Sequence, residues 1–185
     1  GQSYVQEARD MRPRVEALIG EDLSLHLHWR MVGRLQRNKA RQAVDLFDAI
    51  DSVDRADLAR ELDRRAAARG RRLEVLLQVD LCGEPQKGGV QPERVASLLS
   101  ACAALEHLRV VGLMTVPAAN VDPEASRPAF ARLRQLRDTL RREPDGAALP
   151  ELSMGMSGDF EVAIEEGATL VRVGTALFGR REKGT

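Results

Sequence analysis

The sequence predicts an α/β chain folded as a TIM (β/α)8-type barrel, incomplete at its N-terminus, with the first strand and helix missing. Three observations carry that prediction. Short apolar strands alternate with helical stretches through short links, the pattern of a parallel sheet. No glycine-rich fingerprint follows an early strand, which counts against an open doubly wound sheet. The last two strands each run into a small-residue turn, as in the phosphate site that barrels build at their end. At 185 residues the chain suits one domain, 1–185, yet falls short of the roughly 250 residues of a complete eight-unit barrel.

Taken in order, residues 4–19 carry helical spacing in Val5, Ala8, Val15 and Leu18, with Pro13 a kink or restart. Residues 25–33 read as a strand ending at Gly33, and residues 34–47 as a helix. Residues 49–53 form a short apolar strand, and Asp54 is placed to cap a helix over 55–69 that Gly70 closes. Residues 73–81 are the clearest strand, with Val75, Leu77 and Val79 on one face and Gln78 and Asp80 on the other. A polar loop follows over 83–89, and Pro92 opens a helix with Val95, Leu98, Leu99, Cys102 and Leu105 at core spacing. Next come a strand over 109–116, a loop over 117–128, a helix lined by Phe130, Leu133, Leu136 and Leu140, and a connection over 143–150. Six strands result, with one more lost at the start.

Composition excludes several function classes. Charge is balanced, 28 basic against 28 acidic residues, so no nucleic-acid footprint shows. No apolar run approaches the roughly 20 residues of a membrane span, and no signal peptide is visible. Cys82 and Cys102 do not form a metal-type pair, which points to a reducing, cytoplasmic setting. His26, His28 and His107 lack the spacing of a metal site, and no serine sits in a nucleophile elbow. Neither catalytic nor metal-ligating residues are assigned. Asp80 and Glu84 at a strand end suit either acid–base work or the satisfaction of turn amides and of Lys87. The lysines are few, Lys39, Lys87 and Lys183, and none ends an apolar strand.

Residues 152–179 are the most informative stretch. Two short strands lead to Gly158-Asp159 and to Gly174-Thr175, where small residues let an anion approach backbone N–H groups and Ser157 and Thr175 add hydroxyls. Between them Phe160, Ala163 and Ile164 share one helical face, and Gly167 stops the helix. Strand parity points Leu170 and Arg172 into the barrel. A buried guanidinium needs a partner, either a carboxylate such as Asp80 or a ligand.

These stretches, joined, resemble the pyridoxal 5'-phosphate homeostasis protein family, whose fold is similar to the N-terminal barrel domain of alanine racemase. The matching runs are Tyr4-Val5-Gln6-Glu7, Gly33-Arg34-Leu35-Gln36-Arg37-Asn38-Lys39, Asp51-Ser52-Val53-Asp54, Gln78-Val79 with Gly83-Glu84 and Lys87, and Gly112-Leu113-Met114-Thr115. Most specific are Leu152-Ser153-Met154-Gly155-Met156-Ser157 with Asp159-Phe160, and Val171-Arg172-Val173-Gly174-Thr175 with Phe178-Gly179. The resemblance implies a pyridoxal phosphate-binding protein that serves vitamin B6 and amino-acid homeostasis without catalytic turnover, with pyridoxal phosphate-dependent apo-enzymes as partners. A racemase-like enzyme is the alternative. It further implies cofactor contacts from Ser157, Gly158, Gly174, Thr175 and Met154, with Arg172 facing the pyridine nitrogen. Three departures accompany it: the family's anchoring lysine falls before the start of this chain, Ser3 stands where an asparagine is usual, and Trp29 is followed by Arg30 in place of a histidine.

Overall fold

The computed structural model describes residues 1–24, 27–118, 122–143 and 149–179. Six parallel strands, β1 (Arg30–Met31), β2 (Ala49–Val53), β3 (Leu73–Gln78), β4 (Leu108–Met114), β5 (Glu151–Met156) and β6 (Leu170–Arg172), stand in one sheet in strict sequence order. An open doubly wound sheet would reverse its strand order at a switch point. This one does not, and its curl is seen in the side chains: Arg30 of β1 reaches Glu151 of β5, 2.9 Å away. Strands four places apart in the sheet order touch only when the sheet bends around an interior. The architecture is an incomplete barrel, with β1 also bridged on its far side by Gln2.

The helices α1 (Val5–Ser24), α2 (Ala40–Leu46), α3 (Ala56–Ala67), α4 (Val95–Ala103), α5 (Arg127–Leu140), α6 (Phe160–Glu165) and α7 (Thr175–Phe178) complete the alternation. Period-two patterning divides the strand side chains between two layers. Val75, Leu77, Val79, Leu152 and Met154 join Leu58, Leu62, Leu99, Phe130 and Leu133 in the large core between sheet and helices. Leu76, Val111 and Met114, with Leu170 against them, form a small second cluster contributed by strands alone, the barrel's interior. Both predicted helix stripes, on α4 and α5, face the large core.

Several local expectations are corrected. Helix α1 runs through Pro13 without a break. The strand expected over 25–33 is confined to Arg30–Met31; its early residues Leu25 and His26 lie outside the described residues, as does Lys183. Residues 34–47 split into a 3-10 turn, Arg37–Lys39, and α2. Asp54 does not cap α3, whose N-cap is Arg55 without a side-chain bond. Instead its carboxylate accepts from the Arg55 guanidinium at 2.6 Å and from the Gly89 amide at 3.3 Å. On α6 the buried residues are Val162 and Ala163, while Ile164 is exposed. Among the described residues no helix is long and apolar enough to cross a membrane.

Candidate functional site at the ends of the last two strands

The turns after β5 and β6 come together. Ser157 Oγ accepts from the Gly174 amide at 3.0 Å and from the Ala176 amide at 3.2 Å. The hydroxyl oxygen lies where an anion's oxygen would, since free N–H groups at such a turn attract partial negative charge. The first turn is held from within, because Asp159 Oδ1 accepts from the Met156 amide at 2.7 Å. A Cβ built on Gly158 or on Gly174 meets nothing within 4 Å, so open space borders both turns. Of the residues predicted to touch a ligand, Ser157, Gly158, Gly174 and Thr175 therefore share one locale. Met154 does not share it by its side chain, which is fully buried in the large core on the helix side of β5.

Arg172 points inward, as parity requires, and its guanidinium lies in the barrel's interior. One nitrogen donates to Ser153 Oγ at 2.9 Å and another to the Thr115 carbonyl at 2.8 Å. Burial pushes its pKa down from the ordinary arginine value, opposed by the charges of Asp51 and then Asp159. Asp80, the carboxylate suggested as its partner, is engaged elsewhere. Its Oδ1 accepts from the amides of Cys82, Gly83 and Glu84, and its Oδ2 from Gln91. Glu84 pairs with Lys87 at 2.9 Å. That end of β3 is thus a self-satisfied turn, the structural role of the two the sequence allowed.

Sequence reasoning missed the supports of Arg172. Thr115 is buried and donates its hydroxyl to the Val79 carbonyl at 2.9 Å. Ser153 lies on the inward side of β5, and its parity within the 152–157 run was the available signal. Also missed is a charged layer around Arg30, whose guanidinium meets Asp51 at 2.9 Å and Glu151 at 2.9 Å. Asp51, in the middle of an apolar strand and 2 % exposed, is itself a sign that a cation must be near. Surface clefts of about 410 Å³ and 350 Å³ lie on the outer helices beside Arg37 and Arg64 and beside Arg41 and Asp45. Convergent polar groups mark the strand ends as the better candidate.

The alanine racemase N-terminal domain family matches residues 1–182. A pyridoxal phosphate homeostasis protein of Aquifex aeolicus is 47% identical over 98% of this chain and 76% of its own length. One from Pseudomonas aeruginosa is 41% identical over 100% of this chain and 75% of its own. The chain belongs to the pyridoxal phosphate homeostasis protein family. Among solved structures, PipY of Synechococcus elongatus with pyridoxal phosphate bound superposes with a TM-score of 0.85 at 37% identity, covering 96% of this chain and 79% of that one. The Arg30 side chain ties β1 to β2 and β5.

Proposed function

We propose that this chain binds pyridoxal phosphate at the ends of β5 and β6 and takes part in intracellular vitamin B6 and amino-acid homeostasis as a carrier without catalytic turnover. The observation that carries the reading is the meeting of Ser157 with the Gly174 and Ala176 amides, beside open space and near the half-buried guanidinium of Arg172. The residues present fit the group. The Gly158 and Thr175 amides have no protein acceptor among the described residues, and with the Ser157 and Thr175 hydroxyls they supply donors for a phosphate. Arg172, held by Ser153 and Thr115, presents its remaining N–H edge to the ring nitrogen. The PipY structure with pyridoxal phosphate bound supports pyridoxal phosphate as the ligand.

When bound, pyridoxal phosphate supplies an aldehyde and an electron-withdrawing ring. The chain's own groups restrain that chemistry. A guanidinium stays protonated at ordinary pH and disfavours a proton on the ring nitrogen, so the ring's electron-sink power is kept low. That suits storage and delivery better than turnover. Partners in this reading are pyridoxal phosphate-dependent apo-enzymes, and the setting is the cytoplasm, where those enzymes need their cofactor.

The test is a titration of pyridoxal phosphate followed by absorbance for the wild type, Thr175→Ala and Arg172→Ala. Each substitution is expected to weaken binding about tenfold, the effect of roughly 1.4 kcal/mol of lost hydrogen bonding to a charged group. Unchanged affinity in both would refute the site.

A further inference from the structure

The outer wall of the barrel over α2 carries charge that the fold does not use. Three clefts adjoin along it. One of about 350 Å³ lies between α1 and α2, lined by Arg9, Arg41 and Asp45 with Leu46 as an apolar floor. The next, of about 240 Å³, shares Arg41 and Asp45 and reaches Arg65, Ala68 and Arg69 at the end of α3. The third, of about 410 Å³, is bounded by Arg37, Asn38, Glu61 and Arg64. Six arginines thus stand in these walls against two carboxylates.

The carboxylates are already engaged. Glu61 accepts from Arg64 at 2.8 Å and from Arg65 at 2.7 Å, and Asp45 pairs with Arg69 at 2.6 Å. Asp10 offsets Arg9, 3.6 Å away, and the neighbouring Arg12–Glu16 pair is neutral. Arg37 and Arg41 are exposed, and among the described residues no side-chain hydrogen bond or ion pair holds either guanidinium. Their placement opposes local stability. Like charges four residues apart repel. Arg37, Lys39 and Arg41 also crowd the start of α2, where cations oppose the helix dipole and no acidic residue stands in the first turn. A local rule broken with no compensating contact inside the chain points to a surface kept for a partner.

We propose that this wall docks an acidic segment of another protein, whose carboxylates pair with Arg37 and Arg41 across the clefts. Arginine presents a planar fork that takes a carboxylate in two parallel bonds, and it is enriched at protein interfaces. A nucleic acid fits worse. Its regular phosphates would run over Glu61 and Asp45, and 28 basic against 28 acidic residues leave no net charge to attract it. Helices α2 and α3 connect β1, β2 and β3, whereas the candidate cofactor site lies at the ends of β5 and β6. A segment seated on the wall leaves those turns open, so the proposal does not depend on what they bind.

The probe is a fluorescent decaglutamate peptide, titrated by anisotropy at low salt, with a short duplex DNA as the comparison. Arg37→Gln with Arg41→Gln is set against Arg94→Gln with Arg142→Gln, two exposed arginines elsewhere whose loss makes the same change in net charge. Thermal melts, sedimentation and a pyridoxal phosphate titration accompany each. The wild type is expected to bind the peptide more tightly than the DNA. The wall variant should lose about tenfold in peptide affinity, with its pyridoxal phosphate affinity unchanged and its melting temperature no lower. The control variant should bind the peptide as the wild type does. Equal losses in the two variants, tighter binding of DNA, or no saturable peptide binding would overturn the proposal. A lower melting temperature in the wall variant would give the two arginines a structural role and overturn it as well. Undiminished peptide binding with slower sedimentation would assign the wall to a second copy of the chain, against the proposal.

Discussion

At Ser157 a single oxygen gathers two backbone amides from the next strand-turn unit. The two turns were legible in the sequence as anion-suited, because small residues and hydroxyls recur at the ends of two successive strands, but the bonds from Gly174 and Ala176 to Ser157 were not. The partner of Arg172 was not. Parity told that it points inward, but inward neighbours come from strands far apart in sequence, and neither Ser153 nor Thr115 carries a charge that would flag it. The two cysteines make a check at this scale. Cys102 is 1 % exposed, and burial pushes its thiol up to about 11, whereas Cys82 is exposed. Thiolate is the reactive form. A thiol reagent at pH 8 should therefore label one cysteine per chain quickly, and peptide mapping should place it at Cys82. The second should react only on unfolding, and fast labelling of Cys102 in the native protein would contradict the packing of α4.

Among the elements, the long strands and helices followed their patterns and the short ones did not. Strand β3 and the stripes of α4 and α5 have enough residues for periodicity to fix a face. Helix α6 has only six residues, and its buried face is rotated by one position from the one expected, toward Val162 and away from Ile164. The cause lies across the turn, at Gly155. Its φ is +90°, and a Cβ there would come within 2.6 Å of the Ala163 Cβ and 3.1 Å of the Phe160 Cα. Close approach of β5 to α6 at that glycine sets how the helix sits, a tertiary constraint that no local pattern holds. Gly155→Ala should accordingly lower stability by about 3 kcal/mol, from the left-handed backbone and the overpacking together. The measurement is the urea midpoint at constant slope. Pyridoxal phosphate affinity should fall with it, since the turn bearing Ser157 follows directly.

At the scale of the whole molecule, the curled sheet formed by the described residues leaves an edge at β6. Among the described residues β6, three residues long, pairs as a strand with β5 alone. Barrels remove such edges by closure, and among the described residues no second strand pairs with β6. Apolar side chains gather at the same unit: Val171 is 37% exposed, Leu177 70% and Phe178 86%. A strand edge flanked by exposed apolar groups is a surface on which another copy can pair. The 185-residue chain should therefore self-associate, with a sedimentation coefficient that rises with concentration. Leu177→Ser together with Phe178→Ser should shift it toward monomer while leaving the interior, and so the Arg30–Asp51–Glu151 clamp, untouched. The clamp holds β1, β2 and β5 together from inside, so the open side need not loosen the closed one, and thermal melts of the double variant should match the wild type once association is diluted out. A wild-type chain that sediments as one monomeric species at every concentration would show that the β6 side is protected, and the association argument would fall.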